Sequence, residues 1–394
     1  MKPKILFTFT VLLLLAMSTA TTTAQNSENV RITPQLKAAV QKYEISGHFS
    51  EGLCAVKAQN GYGFINTKGE IVVPCKLHYD EVREFHEDLA AVGNGDYENR
   101  TWGYINTQGQ LVIPLNYDIV YNFNEGLAIV VNDKKYGVIN KNGEVVIPYE
   151  YDYIGTFHNG LAVVGKNNKR AGAINKKGEL MIPCKYDFLG DFHDGLAPFA
   201  FYDSNKEGLI NTKGEEKYLN YYRLEEFHEG LAGAWDVNSE KRGFINTKGE
   251  LVIPCKYDQP GCYESYFSCG LAPVCYNDKY GFIDTKGKVV VPFKYDMAWN
   301  FYDGMALVSR NDKWGFINLK GEEVIPCKYE VNTDCDYSLT PDYFFYNGLA
   351  KVYIWTSSAA KDGFVDKYGN TTFSNSGNKK TSGAKKLRKT SRRR

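Results

Sequence analysis

The stretch Phe301–Glu330, FYDGMALVSRNDKWGFINLKGEEVIPCKYE, decides the fold, because eight further versions of it fill most of the chain. Its three short apolar runs are Gly304–Val308, Trp314–Asn318 and Glu322–Pro326. Such runs, separated by Asn, Asp and Gly, predict strands joined by hairpins. The glycine of Asn-x-x-Gly suits a type I turn closed by a G1 bulge. The proline has no N–H for a ladder, so we expect it to end the third strand.

Nine units share this pattern, and each is predicted to be a three-stranded meander. A meander of this size is too small to bury a core alone, so the units must pack on one another. The first strand of each unit opens at Phe49, Phe85, Phe123, Phe157, Phe192, Phe227, Phe267, Phe301 and Phe345. The predicted fold class is therefore an all-β tandem array.

We expect this array to be an open, twisting, solenoid-like stack with a capped end. Val30–Tyr43 predicts a short helix with Thr33 as its N-cap and Pro34 in its first turn. A helix ahead of a repeat array is typical of a cap for the first unit. The degenerate ninth unit, in which Thr371–Phe373 replaces the proline motif, resembles a cap for the last. A closed, propeller-like ring is the alternative. It is less favoured because propeller blades have four strands and typically number four to eight.

The repeated pattern G-L-A-x-V…(W/Y)-G-(F/Y/V)-I-N-x-x-G-E-x-V-I-P resembles the WG repeat family, also called KWG repeats, of bacterial proteins. The resemblance covers about Phe49–Phe373. It implies a β-rich repeat protein with a binding or scaffold role, and it supplies no catalytic residues. At the name-giving position the nine units carry Tyr62, Trp102, Tyr136, Ala171, Glu207, Arg242, Tyr280, Trp314 and Asp362.

The chain divides into four segments by composition. Residues 1–24 read as a signal peptide, with Lys2 and Lys4 ahead of an apolar run too short to span a membrane. Residues 25–47 form a linker and the short helix, and residues 48–373 form the nine repeats. Residues 374–394 form a basic tail in which Lys379–Arg394 holds nine basic residues and no acid, which predicts disorder. We therefore expect an exported protein of the periplasm, cell surface or medium.

No constellation of catalytic or metal-ligating residues emerges from the sequence. Four histidines occupy the slot after the repeat's Phe, which predicts that they lie one unit apart as polar turn residues: His86, His158, His193 and His228. The sequence thus predicts no catalytic residue, no metal site and no cofactor. An exported chain with nine cysteines permits disulfides, and one local disulfide is expected among Cys262, Cys269 and Cys275.

Three functions remain open on this evidence. The favoured one is a non-catalytic binding scaffold that presents an aromatic surface to a protein or glycan, formed by Trp102, Trp314, Tyr62, Tyr136 and Tyr280. The alternative is binding of an anionic polymer (nucleic acid, lipopolysaccharide or lipid) through the tail residues Lys385, Lys386, Arg388, Lys389, Arg392, Arg393 and Arg394. The third is a hydrolase hidden in the non-repetitive segments around 262–275 and 332–343.

Overall fold

A computed structural model describes residues 30–96, 98–166, 170–204, 206–219, 223–236, 238–258, 265–329, 344–355 and 360–375. The predicted signal peptide and almost all of the predicted basic tail lie outside these residues. No helix among them is long and apolar enough to cross a membrane.

The predicted N-terminal helix is confirmed as α1 (Pro34–Lys42). The Oγ1 atom of Thr33 accepts a hydrogen bond from the N–H of Leu36 at 3.0 Å, which satisfies one of the free donors of the first turn. Leu36 and Val40 fall one turn apart on the same face, and both are fully buried.

The rest of the described chain consists of nine antiparallel sheets, which we call blades 1 to 9 and in which consecutive strands are neighbours. Blades 1 to 3 are β1 (Glu44–Ile45), β2 (Leu53–Ala58), β3 (Gly61–Asn66), β4 (Ile71–Leu77); β5 (Glu81–His86), β6 (Leu89–Asn94), β7 (Thr101–Asn106), β8 (Leu111–Tyr117); and β9 (Ile119–Val120), β10 (Leu127–Asn132), β11 (Lys135–Asn140), β12 (Val145–Tyr151). Blades 4 to 6 are β13 (Tyr153–Ile154), β14 (Leu161–Gly165), β15 (Ala171–Asn175), β16 (Leu180–Tyr186); β17 (Phe188–Leu189), β18 (Leu196–Phe201), β19 (Lys206–Asn211), β20 (Glu216–Leu219), with a 3₁₀ turn at Tyr202–Ser204; and β21 (Arg223–His228), β22 (Leu231–Trp235), β23 (Arg242–Asn246), β24 (Leu251–Tyr257). Blades 7 to 9 are β25 (Leu271–Tyr276), β26 (Lys279–Asp284), β27 (Val289–Tyr295); β28 (Met297–Tyr302), β29 (Met305–Arg310), β30 (Lys313–Asn318), β31 (Glu323–Tyr329); and β32 (Phe345–Tyr346), β33 (Leu349–Trp355), β34 (Ala360–Asp366), β35 (Thr371–Phe373).

The prediction of three strands per unit is wrong, because in eight of the nine blades a further strand precedes the predicted first strand. In blade 2 this strand is β5, which pairs with β6 through Glu81 opposite Gly93 and Val82 opposite Val92. In blade 7 its place among the described residues is marked by the isolated bridges Asp258–Cys275 and Ser268–Leu271. The segment taken for a surface turn between units is thus the inner edge strand of the next blade.

The prediction of an open stack is also wrong, because the blades close into a ring, the arrangement of a β-propeller. Nine buried apolar clusters each join two neighbouring blades, so both faces of every blade are covered. A contact between two phenylalanine side chains also recurs across these interfaces. Phe64 meets Phe85 between blades 1 and 2 at 4.6 Å, and Phe364 of blade 9 meets Phe49 of blade 1 at 5.0 Å. The last interface is therefore built like the first.

Helix α1 lies in the seam between blades 9 and 1 instead of capping a free end. Leu36 and Val40 share one core cluster with Phe364 of blade 9 and Phe49 of blade 1. In the other blades, the glycine of the Asn-x-x-Gly turn packs on the fourth strand of the preceding blade. In blade 1, a Cβ added to Gly69 would lie 2.5 Å from the Cα of Leu36. The helix thus takes the place that the short strand β35 leaves open.

The repeat's proline does not end its strand, because the strand continues past it through a bulge. In blade 1, Phe64 pairs with Val73 but Tyr62 pairs with Leu77, so β4 gains residues around Pro74. Proline is tolerated on such an outer edge strand at a bulge. The bulged backbone lies over the second residue of the Trp-Gly signature, since a Cβ at Gly63 would come within 2.5 Å of the carbonyl oxygen of Val73. The signature position therefore needs glycine because the bulged backbone around the repeat's proline packs directly against it.

Candidate functional site at the propeller axis

Closure of the ring brings equivalent side chains of neighbouring blades together at the axis. Starting at blade 4, the ring centroids of His158 and His193 are 4.4 Å apart, and those of His193 and His228 are 5.0 Å apart. His228 stacks on Tyr266 at 3.9 Å with an interplanar angle of 18°. The expectation that these histidines remain one unit apart without meeting is wrong, because the inner ends of neighbouring blades nearly touch.

The contacts continue around the axis to blade 1. The hydroxyl oxygens of Tyr266 and Tyr302 are 2.7 Å apart. The ring centroid of Tyr302 lies 6.1 Å from that of Tyr346, and the centroid of Tyr346 lies 4.8 Å from that of His48. We call this series of seven rings the axial arc: His158, His193, His228, Tyr266, Tyr302, Tyr346 and His48. His48 also has a carboxylate beside it, since its Nδ1 lies 3.3 Å from Glu84 Oε1. All but His48 are half-buried, so the arc offers ring surface at one end of the propeller.

Charge on the arc is set by its neighbours. Burial lowers the pKa of His158, and the adjacent His193 lowers it further. A hydrogen bond to Glu226 raises the pKa of His193 against the effect of burial. Burial lowers the pKa of His228 and of His86 in the same slot of blade 2. Burial alone would raise the pKa of Glu226, but hydrogen bonds from His193 and from the backbone of Asp191 hold it below its usual range.

Acidic side chains surround the arc at the hairpin between the first and second strands of six blades. Each accepts a hydrogen bond from a backbone N–H of the next blade: Glu51 from Asp88, Glu87 from Gly126, Glu125 from Gly160, Asp194 from Gly230, Glu229 from Gly270 and Asp303 from Gly348. Asn159 makes the same bond to Gly195. We call the six carboxylates the acidic crown. They tie the blades together and place negative charge around the axis. Their signal in the sequence is the repeated acid two residues after the Phe.

The predicted aromatic ligand surface is wrong, because four of its five residues are buried inside the blades. Trp102, Trp314, Tyr62 and Tyr280 are all less than 9% exposed, and Tyr136 is half-buried. These side chains contribute to packing instead of facing a ligand.

The name-giving position varies because it contacts a partner two residues before the Phe on the first strand of its blade. Trp102 lies under the guanidinium of Arg83 at 3.9 Å, and Trp314 lies 4.5 Å from Trp299. The two positions form Tyr121–Tyr136 in blade 3 and the ion pair Glu225–Arg242 in blade 6. The partner position holds glycine in blades 1, 4 and 5, where the name-giving residues are Tyr62, Ala171 and Glu207. The variation is therefore a set of alternative pairs.

Glu207 lacks such a partner side chain, and burial raises its pKa to about 7. Between its ordinary pKa and this value, the folded protein binds more protons than the unfolded chain, so stability falls as the pH rises. Because the side chain is partly solvated, we expect Glu207→Gln to raise the free energy of unfolding by only about 1 kcal/mol at pH 8. Below pH 4 the Glu207 carboxyl is protonated, so it is neutral like the amide that replaces it. The free energies of unfolding in urea of wild type and Glu207→Gln should then be the same. An equal gain at both pH values would contradict this assignment.

The remaining predicted site residues divide between described and undescribed segments. Cys269 and Cys275 are both free thiols, so they do not pair with each other; Cys269 is exposed, and burial raises the pKa of Cys275. Cys262 lies outside the described residues. So do the candidate polyanion contacts of the tail, Lys385, Lys386, Arg388, Lys389, Arg392, Arg393 and Arg394. In the described residues, one group of three side chains has metal-ligand spacing: His158, Asp191 and His193.

Seven segments of the chain match the model of the family described as WG containing repeat, namely 62–97, 102–136, 136–169, 172–201, 243–280, 280–314 and 314–331. Together they cover more than half of the 394 residues. The chain belongs to the WG-repeat family. Most of these segments begin at or next to the name-giving position, on the third strand of a blade, so one family repeat spans parts of two blades of the WG-repeat propeller.

Among curated proteins, no sequence matches the WG-repeat propeller. Among solved structures, dipeptidyl peptidase 4 of Porphyromonas gingivalis has a TM-score of 0.48 at 9% identity over 83% of this chain and 65% of its own. The computationally designed Ika8 protein has a TM-score of 0.39 at 12% identity over 68% of this chain and 93% of its own. Virginiamycin B lyase of Staphylococcus aureus has a TM-score of 0.34 at 13% identity over 64% and 92%. No ligand or activity is transferred from similarities this low.

Proposed function

We propose that the WG-repeat propeller is an exported, non-catalytic binding protein whose protein partner docks at the axial arc. The observation that carries this proposal is the convergence of seven imidazole and phenol rings, one from each of seven blades, at one end of the ring. Half-buried tyrosines present apolar faces and polar edges, which is the chemistry enriched in protein recognition sites.

The acidic crown favours a partner segment that carries positive charge. All six crown carboxylates already accept hydrogen bonds from backbone N–H groups, but a cluster of negative charge still attracts cations. Lysine or arginine side chains that dock at the axial arc meet ring faces as well as carboxylates, and both attract them. Export is supported by the charged and apolar composition of residues 1–24.

The test has two steps. A partner is first captured from a cell-envelope extract at low and moderate salt and identified. Its binding is then measured by calorimetry with the purified partner. Wild type is compared with the double variant His228→Ala/Tyr266→Ala and with the matched control Tyr202→Ala. Tyr202 is 66% exposed and lies in the turn between strands two and three of blade 5, away from the arc. We expect the axial double variant to lose the partner and the control to retain it, with both variants as thermostable as wild type.

A truncated chain ending at Asn378 separates this function from polyanion binding through the tail. The proposal expects truncation to leave partner binding unchanged at moderate salt. Capture that requires the tail, fades as salt rises and ignores the axial substitutions would instead support the polyanion alternative. Retention of a glycan from protease-treated extract, with no protein partner, would also overturn the proposal.

A further inference from the structure

We propose that His158, Asp191 and His193 form a binding site for a divalent first-row transition metal of the Zn²⁺ class. One ligand atom from each side chain lies within 4.8 Å of the ligand atoms of the other two. His158 belongs to blade 4, and the other two residues flank Phe192 in blade 5. The site therefore bridges two blades at the axis.

The ligand set selects the class of metal. Two imidazoles and one carboxylate suit Zn²⁺, Ni²⁺, Co²⁺ and Cu²⁺, whereas Ca²⁺ and Mg²⁺ prefer oxygen ligands alone. Ligand atoms about 2.1 Å from one ion are at most about 4.2 Å apart, so the group must close slightly on loading. All three side chains are half-buried, so small side-chain rotations can bring the ligand atoms this close. Three protein ligands leave at least one coordination position free for water or another ligand.

Glu226 supplies the support that a metal site needs behind its ligands. Its Oε2 lies 3.4 Å from Nε2 of His193, and its Oε1 accepts a hydrogen bond from the backbone N–H of Asp191 at 2.9 Å. One carboxylate of blade 6 thus orients two of the three ligands, as carboxylates beside metal-bound histidines commonly do. Asp194 and Glu125 of the acidic crown interact electrostatically with the two imidazoles and add to the negative potential.

The other histidines of the same slot provide internal controls. His86 occupies the slot in blade 2 and is influenced by His48 and Glu84, but it does not belong to the group with ligand spacing. His228 stacks between His193 and Tyr266 but does not belong to the group with ligand spacing. The slot itself therefore does not create the site. The coincidence of histidines in blades 4 and 5 with Asp191 creates it.

The test is isothermal titration of the tag-free, full-length protein with ZnCl₂ and NiCl₂, at neutral pH and in the presence of millimolar Ca²⁺ and Mg²⁺. We expect one ion per chain for wild type, loss of measurable binding in His158→Gln and His193→Gln, and a 10–100-fold weaker affinity in Glu226→Gln. The matched variants His86→Gln, His228→Gln and Cys269→Ser should bind like wild type.

Wild-type protein alone gives a second readout in case a variant fails to fold. Diffraction at the zinc absorption edge should place one anomalous peak between His158 and His193. No bound ion at micromolar metal, a peak elsewhere, or equal loss in His228→Gln would overturn the proposal. Because the titration involves no partner protein, its outcome is independent of the docking function proposed above.

Discussion

Replacing Arg242 with methionine should destabilise the propeller by about 3–5 kcal/mol, because it leaves an uncompensated carboxylate within a blade. The Arg242 side chain is only 2% exposed and pairs with Glu225, whose side chain is 23% exposed. The guanidinium also donates to Ser265 of blade 7 and lies 4.4 Å from the ring centroid of Phe244. The loss should appear as a lower urea midpoint followed by tryptophan fluorescence.

A double-mutant cycle separates the ion pair from simple packing. Glu225→Gln retains an acceptor for the indole N–H of Trp235, which donates to Glu225 at 3.0 Å. In the double variant Glu225→Gln/Arg242→Met no charge remains, so we expect it to be more stable than Arg242→Met alone. The matched control is the adjacent Lys241→Met, which removes an exposed pair with Asp258 and should cost less than about 1 kcal/mol. Equal losses in Lys241→Met and Arg242→Met would contradict the role given to burial.

The repeated elements could be predicted from the sequence because each is specified locally. The Asn-x-x-Gly turn is an example: the N–H of Gly69 donates to the carbonyl of Asn66 at 2.8 Å, and Gly69 has a φ of 87°. The helix start at Thr33 is another. Both depend on residues within one turn of the chain, so a single sequence is enough to find them.

In five blades the inner strand could not be predicted because its two residues are too few to carry a pattern. In blade 3 it consists of Ile119 and Val120 alone. Two residues show no alternation, and the preceding Tyr-Asp pair resembles a turn. Once this strand is counted, each unit is a four-stranded blade, and the argument against a propeller from strand number no longer applies.

Ring closure and the axial arc could not be predicted because they depend on the angle between blades. A degenerate ninth unit and an N-terminal helix fit both a capped stack and a sealed ring, so the sequence leaves the two open. The same angle decides whether His158 and His193 lie far apart or 4.4 Å apart. The sequence predicts a surface role for the name-giving position because the residue that contacts it lies on the inner strand, which the sequence does not reveal.

Replacing Leu36 with aspartate should open the seam of the ring. A buried Leu→Ala change typically lowers the free energy of unfolding by about 2–5 kcal/mol, and we expect a larger loss here because a charged group is also buried. Leu36 is fully buried between blades 9 and 1, and its backbone lies against Gly69. The N–H of Ile32 donates to the buried carboxylate of Asp366 at 3.0 Å, and Arg31 lies over the ring of Tyr368 at 4.1 Å. Displacing α1 therefore removes contacts from blade 1 and from blade 9.

Hydrogen exchange distinguishes a seam from a cap in this variant. A helix that only caps the first unit would, when displaced, expose amides of blade 1 alone. A helix in the seam should release amides in β2 and β3 and also in β33 and β34, while those of blade 5 stay protected. The matched control is Gln41→Asp, an exposed position on the same helix, which should leave all three blades unchanged. Faster exchange confined to blade 1 would mean that the two ends of the ring are joined without the helix.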